Sequence, residues 1–200
     1  TLIEKGVRLY GRGVLDMKGQ VAALMVLYKS LHPQVRSKVG LIFVSDEEVG
    51  GYDGVKYLLT EKFMAPEFVI SAEPSDLRIA NEAKGILNVE LIAKGKSAHS
   101  SRPWQGDNAI TKLSSAIESL VEKYPIPSEV NNNKFTTYSV STIEGGDGMN
   151  KVPDYAKALV NIRYLPEETS QQIVAILLAQ FGDGVAVEPV FVEPAAYCDP

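Results

Sequence analysis

Along the first third of the chain, apolar positions alternate between short continuous blocks and helical spacing. Residues 7–10, 39–44 and 68–70 are short apolar runs, and 39–44 has the composition of a strand buried on both faces. Between the first two, Met17, Val21, Leu24, Met25, Tyr28 and Leu31 recur at helical spacing. His32-Pro33 ends that helix. Gly50 and Gly51 turn the chain into a second predicted helix over 55–59, and Pro74 halts the third strand. Strand, helix, strand, helix, strand predicts a parallel sheet with right-handed crossovers.

The pattern changes near residue 82. From 86 to 92 apolar and polar residues alternate, with Leu87, Val89 and Leu91 on one face and Asn88 and Glu90 on the other, as in a half-buried strand. A helix over 107–124 aligns Ile110, Leu113, Ile117, Leu120, Val121 and Tyr124. Strands are predicted at 135–143 and 155–165. A helix over 167–181 carries Ile173, Ile176, Leu177 and Phe181 inward, and a last strand covers 185–192. Asn131-Asn132-Asn133 reads as a loop. This β-α-β-β-α-β order is that of a ferredoxin-like sandwich. The expected organisation is therefore a first domain over 1–81, an inserted domain over 82–192, and a return to the first over 193–200.

Composition narrows the partners. A net charge of −5 over 200 residues argues against nucleic acid or an anionic membrane surface. No apolar run approaches the roughly 20 residues of a membrane helix, and the start shows no signal-peptide pattern. A single cysteine, Cys198, leaves no internal disulfide and fits a reducing, cytoplasmic setting. With only two histidines, His32 and His99, any metal held by this chain rests mainly on carboxylates. The chain opens on Thr1 without an initiator methionine and stops at Pro200 with no closing helix, and it reads as an excised segment.

Each predicted strand of the first part hands over to acid: the first to Asp16, the second to Asp46, Glu47 and Glu48, the third to Glu73. Ligands of open parallel sheets bind at that edge. Carboxylates packed there without a cation repel and raise one another's pKa. The pattern alone leaves two readings open, acids complementing helix dipoles and a site for a divalent cation.

The stretches Gly11-Arg12-Gly13-Val14-Leu15-Asp16-Met17-Lys18-Gly19 and Asp46-Glu47-Glu48-Val49-Gly50-Gly51 resemble the two signature motifs of one metallopeptidase family. Its members include aminoacylase, acetylornithine deacetylase, succinyl-diaminopimelate desuccinylase and glutamate carboxypeptidase. Ala72-Glu73-Pro74-Ser75 is similar to its third motif. The resemblance implies an α/β fold: an incomplete parallel-sheet catalytic part with an inserted α+β, ferredoxin-like lid and dimerisation domain. It implies two zinc ions, with cobalt or manganese as substitutes, bridged by Asp16 and bound by Glu48 and Glu73. Glu47 would be the general base, and Asp46 a supporting or capping group. The family's histidine ligands lie outside this sequence. The chain alone is therefore expected to hold zinc poorly and to be inactive.

Ser97-Ala98-His99-Ser100, followed by Pro103, Gly106 and Asn108-Ala109-Ile110, is similar to the family's lid motif. There the histidine reaches a substrate oxyanion, often across a dimer interface, so His99 takes that role here. Residues 149–153 and 161–166 also look like lid segments. The resemblance points Asn150 to the acyl oxygen or the carboxylate. Arg163 lies on the polar face of its strand, suited to bidentate binding of a substrate carboxylate. Trp104 is expected to pack at the lid or an interface. Asn161 stands where many members carry aspartate and takes no role.

The implied activity is hydrolysis of the amide bond of an N-acyl amino acid or small peptide by a homodimer joined through the lid. Two alternatives stay open: a non-catalytic dimerisation module, and an oxygen-ligand site for magnesium or manganese.

Overall fold

A computed structural model describes residues 2–61, 64–126 and 134–198; the loop expected at Asn131–Asn133 lies outside them. The chain divides into two compact units, Thr1–Ile79 and Ala80–Pro200.

In the first unit β1 (Ile3–Lys5) and β2 (Arg8–Tyr10) form an antiparallel hairpin. Its turn contains Gly6 at φ 62°, a left-handed backbone that glycine adopts without steric cost. The hairpin was not foreseen, because only its second strand carries a clear apolar run. Helix α1 (Gly19–Ser30) follows, and α2 (Pro33–Arg36) begins on His32, whose Nδ1 accepts the Gln34 N–H at 3.3 Å. The second expected helix starts later than predicted: an irregular turn over Tyr52–Lys56 leads into α3 (Tyr57–Thr60).

The expected parallel ladder is not formed among the described residues: no strand pairs with 39–44 or 68–70. Apolar composition supplies only one condition for a buried strand. The other is a neighbouring strand along each edge, and among the described residues these segments have none.

The second unit carries the core. After β3 (Glu82–Ala83), strand β4 (Gly85–Lys94) leads through a loop to α4 (Ala109–Lys123). Then come β5 (Thr137–Gly145), β6 (Tyr155–Tyr164), α5 (Ser170–Phe181) and β7 (Val185–Glu193). The sheet order β5-β6-β4-β7, antiparallel throughout, is the ferredoxin-like arrangement. Finally β8 (Ala196–Tyr197) pairs back onto β3.

Alternation decides the faces. Leu87, Val89 and Leu91 of β4 and Ala156, Ala158, Val160 and Ile162 of β6 are buried with Leu113 and Leu120 of α4 and Ile173 and Leu177 of α5. Two expected core residues are not inward: Val121 and Ile176 are exposed. Asn108 caps α4 by accepting the N–H groups of Ile110 and Thr111, and Thr169 opens α5 with a reciprocal capping box on Gln172.

Candidate functional site

Asp16, Glu47 and Glu48 sit on turns rather than strand ends, and Glu73 lies in irregular chain. Asp16 lies in the turn Val14–Lys18 that Gly13 opens at φ 76°, and Glu47 and Glu48 begin the turn Glu47–Val49. That turn closes on Gly50 and Gly51, both in left-handed backbone at φ 107° and 66°. A β-carbon on Gly50 would also come within 2.7 Å of the Tyr52 ring.

The Glu73 carboxyl lies above the ordinary carboxylate range. Partial loss of solvent is the largest cause, and the charges of Glu47, Asp16 and Glu48 add to it in that order. These carboxylates thus feel one another, and a divalent cation among them would relieve the repulsion. Among the described residues no three histidine, cysteine or acidic side chains are gathered into a ligand set. The donors therefore suit a hard or borderline cation in chemistry, without a formed coordination geometry.

Asp46 is engaged by its own loop. Its Oδ2 accepts the Asp53 N–H at 2.9 Å and the Gly54 N–H at 2.8 Å, while its carbonyl accepts from Val49 and Gly51.

In the second unit the His99 loop is fastened at both ends. Lys96 and Asp107 exchange backbone hydrogen bonds at 2.8 Å, closing the loop at its base. Higher up, Ser100 N–H donates to the Asn150 carbonyl at 2.9 Å and Val152 N–H to Ala98 at 2.8 Å, with His99 bridged to Lys151. The structure therefore brings His99 and Asn150 onto neighbouring backbone segments.

Ser101 contacts the imidazole at Nδ1. Its backbone N–H donates to His99 Nδ1 at 3.2 Å, and its hydroxyl lies 2.9 Å from the same nitrogen. In the neutral ring a nitrogen that accepts an N–H carries no proton of its own, which puts the proton on Nε2. His99 thus offers an N–H donor from the side of the ring away from Ser101.

Arg163 is placed elsewhere. It pairs with Ile86 near the start of β4, whereas the His99 and Asn150 loops leave the opposite end, where Lys94 pairs with Tyr155. The eight residue steps from Tyr155 to Arg163 at about 3.3 Å each put Arg163 about 26 Å along the strand from that end. Within one chain, then, Arg163 lies at the far end of β6 from the strand ends that lead into the His99 and Asn150 loops.

The Arg163 side chain is exposed, and its Nε donates to Asn161 Oδ1 at 3.2 Å; Asn161 Nδ2 in turn donates to Asn88 Oδ1 at 2.6 Å. Ser101 and Asn161 thus contact the two groups of interest, and neither has a role in the sequence reading. The available signal was position: Ser101 follows His99 by two residues, and Asn161 precedes Arg163 by two on the same strand face.

Two exposed apolar side chains accompany the pair of loops. Trp104 is 76% exposed and Met149, beside Asn150, fully so. Among the described residues no helix is long and apolar enough to cross a membrane.

Comparison with known proteins agrees with this architecture. The peptidase dimerisation domain pattern matches residues 81–186. A probable carboxypeptidase of Paracoccidioides lutzii is 37% identical over 180 residues, covering 84% of this chain and 41% of its own length. One from Aspergillus terreus is 35% identical over 173 residues, covering 80% of this chain and 40% of its own. The chain thus spans about two-fifths of the length of these curated relatives. Among solved structures, aminopeptidase PepT from Bacillus cereus superposes over 100% of this chain and 56% of its own, with a TM-score of 0.64 at 20% identity. A tripeptidase from Staphylococcus aureus superposes over the whole chain and 55% of its own, with a TM-score of 0.63 at 20% identity. That likeness speaks for the fold. With the domain pattern covering more than half of the residues, the chain belongs to the M20 metallopeptidase family and carries its peptidase dimerisation domain.

Proposed function

We propose that this chain serves a metal-dependent hydrolase that cleaves the amide bond of N-acyl amino acids or small peptides. In this reading each complete site draws on two copies of the dimerisation domain. The observation that supports it is the separation of about 26 Å along β6 between Arg163 and the end bearing His99 and Asn150. A small substrate does not span that distance, so one chain cannot supply both its carboxylate clamp and its oxyanion donor. A second copy resolves this, with Arg163 from one chain and His99 and Asn150 from the other. Exposed Trp104 and Met149 beside the His99 and Asn150 loops fit such an interface, where aromatic and methionine side chains are enriched.

The roles follow from side-chain chemistry. The guanidinium of Arg163, oriented through Nε by Asn161, has its remaining N–H groups for a substrate carboxylate. The Nε2–H of His99 stabilises the charge developing on the scissile carbonyl oxygen, a contribution of about 3–4 kcal/mol for a single donor of this kind. Asp16, Glu48 and Glu73 are the proposed ligands of two zinc ions, for which cobalt or manganese would substitute. When bound, the ions lower the pKa of water and polarise the carbonyl. Glu47 takes the proton of the attacking water and delivers it to the leaving amine.

Of the two histidines, His32 caps α2 and His99 is the donor of the second unit, so the chain offers the metal only carboxylates. It is proposed to be inactive by itself, and hydrolysis of an N-acyl amino acid by this polypeptide would refute that. The shared-site reading is tested in a protein carrying the remaining metal ligands. His99→Ala and Arg163→Ala should each lose at least 100-fold in kcat/KM. An equal mixture of the two variants should regain about a quarter of the activity, since half of its dimers are mixed and one of the two sites in each of those is intact. No recovery on mixing would place all three residues in one chain's site and overturn the arrangement.

A further inference from the structure

We propose that Asp46 is a positioning residue that holds Glu47 and Glu48 in place by clamping the far end of their own loop, and that Gly54 is the residue that leaves room for the clamp. The proposal rests on the roles given above to Glu47 and Glu48, but its geometry is independent of any metal.

Residues 46–54 form a loop whose two ends meet at one side chain. Asp46 Oδ2 accepts two backbone N–H groups, Asp53 at 2.9 Å and Gly54 at 2.8 Å. The Asp46 carbonyl meanwhile accepts from Val49 at 3.2 Å and Gly51 at 2.8 Å, and Gly50 N–H donates to Glu47 at 2.9 Å. One residue thus fixes the start of the loop through its backbone and the end through its side chain. Glu47 and Glu48 lie between these anchors, on a turn that Gly50 and Gly51 in left-handed backbone would otherwise leave free to pivot.

The two bonds to Oδ2 occupy that oxygen. The other carboxylate oxygen is pressed against Gly54: a β-carbon there would lie 2.1 Å from Oδ1 and 2.9 Å from the Val44 β-carbon. Any side chain at position 54 must push the carboxylate away. The arrangement explains why an acid sits immediately before two functional acids without joining them. Its lone pairs serve the loop, which frees Glu47 and Glu48 to differ in task.

What the clamp requires is an acceptor oxygen, not a charge. Asp46→Asn retains a carbonyl oxygen able to take both N–H groups, whereas Asp46→Ala removes the acceptor and Gly54→Ala displaces it. The 200-residue chain and these three variants are compared by amide hydrogen exchange and by calorimetric titration with zinc alone. In Asp46→Ala and Gly54→Ala, exchange at Asp53 and Gly54 should accelerate at least tenfold. Val49, Gly50 and Gly51 should accelerate with them, and zinc affinity should fall at least tenfold. Asp46→Asn should stay within threefold of the parent in both measurements. Release of Asp53 and Gly54 without any change at Val49, Gly50 and Gly51 would overturn the proposal, because the clamp would then position nothing. So would an Asp46→Asn variant as impaired as Asp46→Ala, which would make Asp46 a charged participant. With only carboxylates to offer, the parent chain is expected to bind zinc weakly, and where its affinity is too low to titrate, the amide measurements decide the clamp.

Discussion

Leu91 and Ile70 are both aliphatic residues in runs that read as strands, yet Leu91 is fully buried and Ile70 is 76% exposed. The contrast extends to the two units. Among the described residues every buried hydrophobic side chain belongs to the second unit, whereas Phe68, Val69 and Ile70 of the first stand largely in solvent. The amount of apolar sequence does not separate them. The second unit contains both strands that flank β4, so alternation along β4 is converted into a closed face. In the first, 39–44 and 68–70 pair with nothing among the described residues, and hydrophobic composition has no surface to close against.

The largest expected effect of this difference is on core truncation. Leu91→Ala or Leu113→Ala removes a fully buried side chain and should lower the unfolding free energy by about 2–5 kcal/mol. Ile70→Ala should change it by no more than about 0.5 kcal/mol, as an exposed substitution does. Urea denaturation of the three variants makes the comparison directly. Equal losses would mean that the first unit shares a core that its exposed side chains do not show.

Crowding at Gly95 tests the same point from the opposite direction. A β-carbon there would come within 2.0 Å of the Asp107 carbonyl oxygen, the group that Lys96 N–H uses to close the His99 loop. Backbone yields less readily than a side chain, so Gly95→Ala should cost about 1–3 kcal/mol, the range of overpacking. It should also expose the Lys96 and Asp107 amides to exchange. Unchanged protection at both would show that the loop base is not a fixed hinge.

Smaller still are the helix caps. Asn108→Ala, at the start of a helix packed on the sheet, should cost about 1 kcal/mol. His32→Ala removes a comparable side-chain acceptor from α2, a four-residue helix with no buried residue, and should be neutral in the same denaturation measurement.

These contrasts explain what was legible beforehand. Leu87, Val89 and Leu91 could be assigned from alternation because the strands that bury them lie within the same sequence. Val121 and Ile176 satisfied helical spacing but lie at the border of their stripes, where period alone does not distinguish inward from outward. The hairpin β1–β2 was hidden because Ile3 is the only strongly apolar residue of its first strand. At the candidate site, motif resemblance named Asp16, Glu47, Glu48, Glu73, His99, Asn150 and Arg163. It gave no register, and register is what puts Arg163 at the opposite end of the sheet from the loops bearing His99 and Asn150. The hydrogen bonds of Asp46, Ser101 and Asn161 are short-range geometry that residue identity does not encode.

The smallest expected effect concerns acid and the Asn150 loop. Lys151 Nζ lies 2.9 Å from Asp147 and 3.2 Å from Asp154, so one ammonium ties together the two sides of the segment that presents Asn150. The hydrogen bond from Lys151 is the main cause holding the Asp154 carboxyl below its ordinary range, and the Asp147 hydrogen bond is the main cause raising the Lys151 ammonium. The signs follow from linkage. A carboxyl with a depressed folded pKa favours the ordered state while ionised, and that preference is lost as pH falls through its folded value. An ammonium with a raised folded pKa favours the ordered state while charged, and its preference is lost only as pH rises through that higher value. Between these limits the loop should be insensitive to pH, and below the ordinary aspartate range it should loosen without unfolding the sheet. Backbone relaxation at Asn150 and Lys151, recorded beside Leu91 as the acid is added, should show the loop gaining motion while the core strand does not. Substituting Lys151→Met should bring the same mobility to neutral pH and abolish its dependence on acid. If Lys151→Met leaves the loop as rigid as before, the backbone bonds to Ala98 and Ser100 hold Asn150 by themselves, and the charges around Lys151 only decorate a loop already fixed.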